Sequence, residues 1–145
     1  MKTTHIILLL IIPCFFLSMT CEKKNTKNCH IKLEFKNSSD KELLVVLSYD
    51  YPDTSINFQN PLSDYTFSGY IMPNKTDYIR NAASNMCIES ILSDYSYEKV
   101  SLFIFDADVV DSIPWSQIRQ HYQVLHRYDF TLDELRALGW HIDYP

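Results

Sequence analysis

The sequence predicts a mainly β fold, a small β-sandwich of immunoglobulin-like size with short helical additions near the carboxyl terminus. Three observations predict it. "HIKLEFK" at residues 30–36 alternates apolar and charged residues with strict period two, the mark of a half-buried strand. "LLVVL" at 43–47 and "SLFIF" at 101–105 are apolar on both faces, which suits central strands covered on both sides. The strand-like runs come first, the helical pattern follows, and no βαβ rhythm appears.

Each element has its own warrant. Ile31, Leu33 and Phe35 share one face of the first strand, opposite Lys32, Glu34 and Lys36. Asn37-Ser38-Ser39-Asp40 is turn chemistry, so the runs at 30–36 and 43–47 read as a hairpin. Residues 48–64 are irregular, broken by Pro52 and Pro61. Residues 66–72 and 76–79 read as two short paired strands around a Pro73-Asn74-Lys75 turn. Met86, Ile88, Ile91 and Leu92 have helical spacing, which predicts one short helix over 85–92. Pro114 opens another helix that runs to Tyr122, and 123–130 is extended. Thr131-Leu132-Asp133-Glu134 fits a capping box, and Gly139 stops the helix that follows. Residues 140–144 alternate again, as an edge strand does.

The start of the chain carries an address. Residues 6–17 form an unbroken apolar run, shorter than the ~20 residues that a bilayer span takes. Such a run suits the core of a secretory signal over residues 1–20. Leu17-Ser18-Met19-Thr20-Cys21 then resembles a bacterial lipobox, with Leu one place further from the cysteine than usual. This resemblance implies cleavage before Cys21 and lipidation of its thiol, with palmitate-type acyl chains as the membrane anchor. Residues 21–29 become a lipid-anchored tether and 30–145 a single β-rich domain. The seven polar residues Glu22 to Asn28 reach at most ~25 Å when extended, so the body stays near the lipid surface. Cys29 and Cys87 remain in the exported body. They either pair in an oxidising compartment or stay as two thiols.

Composition narrows the chemistry. Without Lys2, the exported chain carries 12 Lys and Arg against 18 Asp and Glu, a net charge near −6. No basic cluster exceeds Lys23-Lys24, so nucleic acid is not expected as a partner. Two glycines cannot build a phosphate-cradling loop, and no cofactor is expected. Asp106, Asp108 and Asp111 form the densest acidic group, and hard carboxylate oxygens could hold Ca²⁺. The competing reading makes them strand-end and helix-start acids that satisfy backbone N–H groups. His121, His126 and His141 lack a completing Cys or Glu for zinc. Tyr49, Tyr51, Trp115 and Trp140 could form a stacking platform for a glycan or a peptide, or could serve as core aromatics.

"LLVVLSYDYPDTS", "SLFIFDADVVDSIPWSQIRQHYQVLHRYDFTLDELRALGWHIDYP" and the lipobox-like start together resemble the small uncharacterised lipoproteins of Bacteroidales bacteria. The resemblance is strongest at "IFDADVV", at "PW" and at "RYDFTLDELRALGW…YP". It implies a cell-envelope location, anchored by lipid to a bacterial membrane (the outer membrane first) and facing periplasm or surface. It implies no reaction. The expectation is thus a non-catalytic envelope lipoprotein that binds or assembles with a protein or glycan. The alternatives are a metal-assisted hydrolase built on the Asp cluster and a lipoprotein giving immunity to a toxin.

Overall fold

The computed structural model describes residues 29–61, 68–80 and 86–145. The signal, Cys21 and the tether up to residue 28 lie outside the described residues. Among the described residues seven strands form two sheets, and four short helices occur. One sheet has the order β4 (Lys75–Arg80), β1 (Lys32–Asn37), β7 (His141–Tyr144). The other has the order β3 (Ser68–Ile71), β2 (Leu43–Ser48), β5 (Val100–Asp106), β6 (His126–Phe130). The helices are α1 (Ile88–Asp94), α2 (Ala107–Ser112), α3 (Trp115–Gln120) and α4 (Leu132–Ala137). The mainly β architecture matches the expectation from period and composition.

Burial demand sorts the strands. β2 and β5 are buried along their whole length, so they take the two central places of the four-stranded sheet. Leu43, Val45, Leu47, Val100, Leu102 and Ile104 face Leu33, Phe35, Ile79 and Ile142 of the other sheet and form the main core. Leu44, Val46, Phe103 and Phe105 point the opposite way, into a second core closed by Ile56, Val110 and Ile118, with Phe58 and Trp115 packed on it. β1 has one buried face and one face of Lys32, Glu34 and Lys36, so its outer side meets water. The result is three layers: a polar-faced sheet, a doubly covered sheet, and an outer cover of loop and helices.

The expected hairpin between residues 30–36 and 43–47 does not form. β1 pairs antiparallel with β4 and parallel with β7, while β2 pairs with β3 and β5. A strand with one charged face cannot flank β2 without exposing one of β2's two apolar faces. The strands at 66–72 and 76–79 are divided in the same way, with β3 in one sheet and β4 in the other. Both crossings meet at Asn37, which is 0% exposed. Its Nδ2 donates to the carbonyls of Lys41 (2.7 Å), Ile71 (3.0 Å) and Met72 (3.2 Å). Its Oδ1 accepts from the Ser39 N–H (3.0 Å) and the Ser39 hydroxyl (2.6 Å).

The helices follow local rules. α1 buries Ile88, Ile91 and Leu92. α2 was not anticipated: Asp106 caps it, its Oδ1 accepting the Asp108 N–H at 3.2 Å. α3 begins just after Pro114 and buries Ile118. α4 has the full capping box, with the Glu134 N–H donating to the Thr131 hydroxyl (3.3 Å) and the Thr131 N–H to the Glu134 carboxylate (2.7 Å). The Thr131 N–H first, and the Thr131 hydroxyl second, donate to the exposed Glu134 carboxylate and hold it below its ordinary range. Gly139 at φ 61° and Trp140 at φ 64° turn the chain into β7, which occupies the expected sheet edge.

Replacing Asn37 by Ala strands the buried Ile71 carbonyl and releases both crossings. Urea denaturation should show a loss of about 3 kcal/mol with little change in slope. Asn37→Asp should cost more, because it sets a carboxylate against three carbonyl oxygens; a loss below about 1 kcal/mol in both variants refutes the role of the corner.

Candidate functional site

The end of β2 starts a cleft. Ser48, Tyr49 and Asp50 lead out of the sheet, and the Ser48 hydroxyl donates to Asp50 Oδ2 at 3.0 Å. The loop 49–61 then folds back over the second core, and the Tyr51–Pro52 peptide within it is cis. Phe58 meets Phe103 edge-on at 5.3 Å between centroids and Phe105 at 6.3 Å. Trp115 Nε1–H donates to the Phe58 carbonyl at 3.4 Å. Arg127, nearly buried, pairs with Asp129 (2.7 Å), donates to the Ser101 hydroxyl (3.0 Å) and holds the Asp53 carbonyl (3.1 Å). Its guanidinium lies 5.0 Å from the Phe103 ring centre. The loop is therefore clamped at both its apolar and its polar contacts.

Opposite the loop stands α1. Its first residue follows Cys87, which is bonded to Cys29 with a Cα–Cα distance of 4.9 Å. His30 fixes the same corner: its ring stacks on Trp140 at 3.9 Å, its Nδ1 lies 2.5 Å from Glu89, and its carbonyl accepts the Ile88 N–H. The helix ends at Tyr95, and Ser96 follows at φ 58°. This is the left-handed position where glycine is usual, and a serine there costs roughly 1 kcal/mol. It directs the chain so that the Tyr95 and Tyr97 rings stack at 6.4 Å, while Tyr97 lies 5.8 Å from Tyr49.

Between loop and helix lies a cleft of about 370 Å³. Tyr49, Tyr95 and Tyr97 line it with Phe58, Met86 and Ile91, and Ser48 and Asp50 supply its polar edge. The volume falls within the range of small-ligand sites. Tyr95 is 61% exposed and Tyr97 42%, so two of the three phenols stand at the mouth. Burial first, and the negative charge of Glu89 second, push the Tyr49 phenol well above its ordinary range.

The residues singled out in the sequence are distributed differently. Of the proposed platform, Tyr49 alone lines the cleft. Tyr51 lies beside Lys99, whose ammonium is 5.0 Å from its ring centre. Trp115 belongs to the second core, against Phe58 and Phe105, and Trp140 stacks on His30. The four do not share one surface because helix and strand junctions consume both indoles as packing. The Asp cluster does not converge either. Asp106 caps α2 and takes the Lys41 ammonium at 2.5 Å, and Asp111 accepts the Tyr70 hydroxyl at 2.9 Å. Capping and pairing thus occupy Asp106 and Asp111. Among the described residues, no three His, Cys, Asp or Glu side chains are grouped to hold a metal. His126 packs against Tyr128 with the rings tilted, and His141 pairs with Glu34 and Asp143. Tyr95 and Tyr97 were missed in the sequence. Their signal is a pair of aromatics two apart, directly after a helix.

Raised phenols set an alkaline limit. Tyr70 is pushed up to about 12, by burial first and by its bond to Asp111 second. Tyr128 is raised too, mainly by burial. A raised phenol binds its proton more tightly in the folded state than in the unfolded one. Its stabilisation is complete below about pH 10 and is lost as pH climbs through the folded value. Urea midpoints should therefore hold up to about pH 10 and fall beyond it, and Tyr70→Phe should make that fall shallower. Equal slopes in both proteins exclude Tyr70 from the effect.

No protein-family model, curated protein or solved structure matches this chain.

Proposed function

We propose that the chain is an exported lipoprotein, acylated at Cys21, whose sandwich serves as a binding or assembly module at the cell envelope. The observation that carries this reading is the Cys29–Cys87 bond, which lies where the polar tether would meet the folded body. Structural disulfides persist in exported, oxidising compartments. This one closes a loop of 58 residues, worth about 4 kcal/mol in the chain-entropy model. The apolar run at 6–17, followed by Cys21 and seven polar residues, gives the rest of the pattern. The resemblance to Bacteroidales lipoproteins points the same way. Among the described residues no helix is long and apolar enough to cross a membrane, and the reading places attachment in acyl chains rather than in a span. The cleft supports binding: a fixed scaffold presents aromatic faces at an open mouth.

Intact mass of the full-length gene product, extracted from membranes, tests the address. The expected species begins at Cys21, carries the mass of two or three acyl chains, and lacks two hydrogens at Cys29 and Cys87. Cys21→Ser should leave the membrane fraction or keep its amino-terminal segment. A product that retains Met1 with an unmodified Cys21 overturns the proposal.

A further inference from the structure

We propose that the tyrosine cleft takes the ammonium group of a lysine side chain presented by a polypeptide partner. The floor and the mouth of the cleft have different chemistry. Leu47, Phe58 and Ile91 give an apolar wall, and Tyr49, Tyr95 and Tyr97 add ring faces beside the Asp50 carboxylate. A lysine side chain has the matching form: an aliphatic stem and one terminal charge. Tyrosine faces attract such a charge through the ring quadrupole.

Acids outnumber bases beside the cleft: Asp94 and Glu98 are exposed on either side of Tyr95–Tyr97, and Glu89, bonded to His30, is close enough to raise the Tyr49 phenol, while the Lys99 ammonium lies against the Tyr51 ring. The fold already uses the same contact elsewhere. Lys99 sits 5.0 Å from the Tyr51 ring centre and Lys32 3.5 Å from that of Tyr78. A polyamine would set further charges against the apolar wall. A neutral sugar needs several fixed hydrogen-bond partners, and Ser48 and Asp50 are bonded to each other. Ser96, in the left-handed region between the two mouth tyrosines, sets the direction in which they leave the helix.

The inference rests on the binding reading above and not on the lipid anchor, which the mass measurement tests by itself. The full-length protein in detergent, with ¹³C-labelled tyrosine, can be titrated with a capped Gly-Lys-Gly peptide, its norleucine analogue, spermidine and maltohexaose. Tyr95 and Tyr97 ring signals should shift saturably with the lysine peptide, with a dissociation constant in the millimolar range. The norleucine peptide should bind at least about tenfold more weakly. Tyr97→Ala should abolish the Tyr95 shift, and Asp50→Asn should weaken binding about fivefold. No shift by about 100 mM lysine peptide overturns the proposal. So does an equal response to norleucine, or tighter binding of spermidine or maltohexaose. The comparison of peptides on the unsubstituted protein decides the matter even if a variant fails to fold.

Discussion

A single amide fixes where the chain leaves one sheet for the other. Asn37 closes β1, and its side chain reaches the two carbonyls that end β3 as well as that of Lys41 ahead of β2. An asparagine has two N–H donors and an oxygen with two lone pairs, and here both ends are occupied. Aspartate lacks the donors; leucine would leave buried carbonyls orphaned. The registers agree with this role. The β1–β4 ladder ends at Asn37↔Lys75, and the β2–β3 ladder begins at Leu43↔Ile71. Both sheets are therefore indexed from the same corner.

The consequence runs outward through the layers. Once β2 and β5 lie in the middle of their own sheet, each needs cover on two sides. The polar-faced sheet covers one side. Among the described residues, short helices and the loop 49–61 cover the other side. A loop without strands or helices can serve as cover only if its backbone is held. Phe58 seats it in the second core, and Arg127 grips the Asp53 carbonyl. Arg127 can lie nearly buried because Asp129, Ser101 and the Phe103 face replace the water it loses. The cleft owes its fixed wall to this cover.

Much of the layout was legible in the sequence because periodicity reports faces. The alternation from Lys32 to Lys36, the doubly apolar runs of β2 and β5, the capping box at Thr131 and the stop at Gly139 all reappear as read, while Ile31, expected on the buried face, lies before the strand and is exposed. Periodicity does not report partners. The pattern of β1 is equally good beside β2 or beside β4, and only the need to cover both faces of β2 decides between them. Asn37 looked like a turn residue, since its outward signs (a polar group before Ser-Ser-Asp) are those of any turn. The acids after β5 were read with capping as one alternative, yet α2 itself was not foreseen, because six residues carry too little period to register. The cleft was half legible. Tyr49 was singled out, but Tyr95 and Tyr97 come to it only through a left-handed serine that no composition announces.

A chain with two glycines must place other residues where the backbone turns left-handed. Besides Gly139, Asn74, Ser96, Tyr122 and Trp140 do so. Asparagine tolerates it; a tryptophan costs more, roughly 1–2 kcal/mol. Trp140 is held by both its peptide groups: its N–H donates to Leu135 and its carbonyl accepts from Glu34. Its ring rests on His30, and His30 is in turn fixed by Glu89, by the Ile88 N–H and by its neighbour Cys29. The carboxyl-terminal turn thus leans on the first described residues, and those are bonded covalently to the start of α1. Cys29 is therefore tied in two directions, through the disulfide to the start of α1 and through its peptide bond to His30 and the aromatic stack. Because α1 is also one wall of the cleft, the disulfide corner and the candidate binding site share one element.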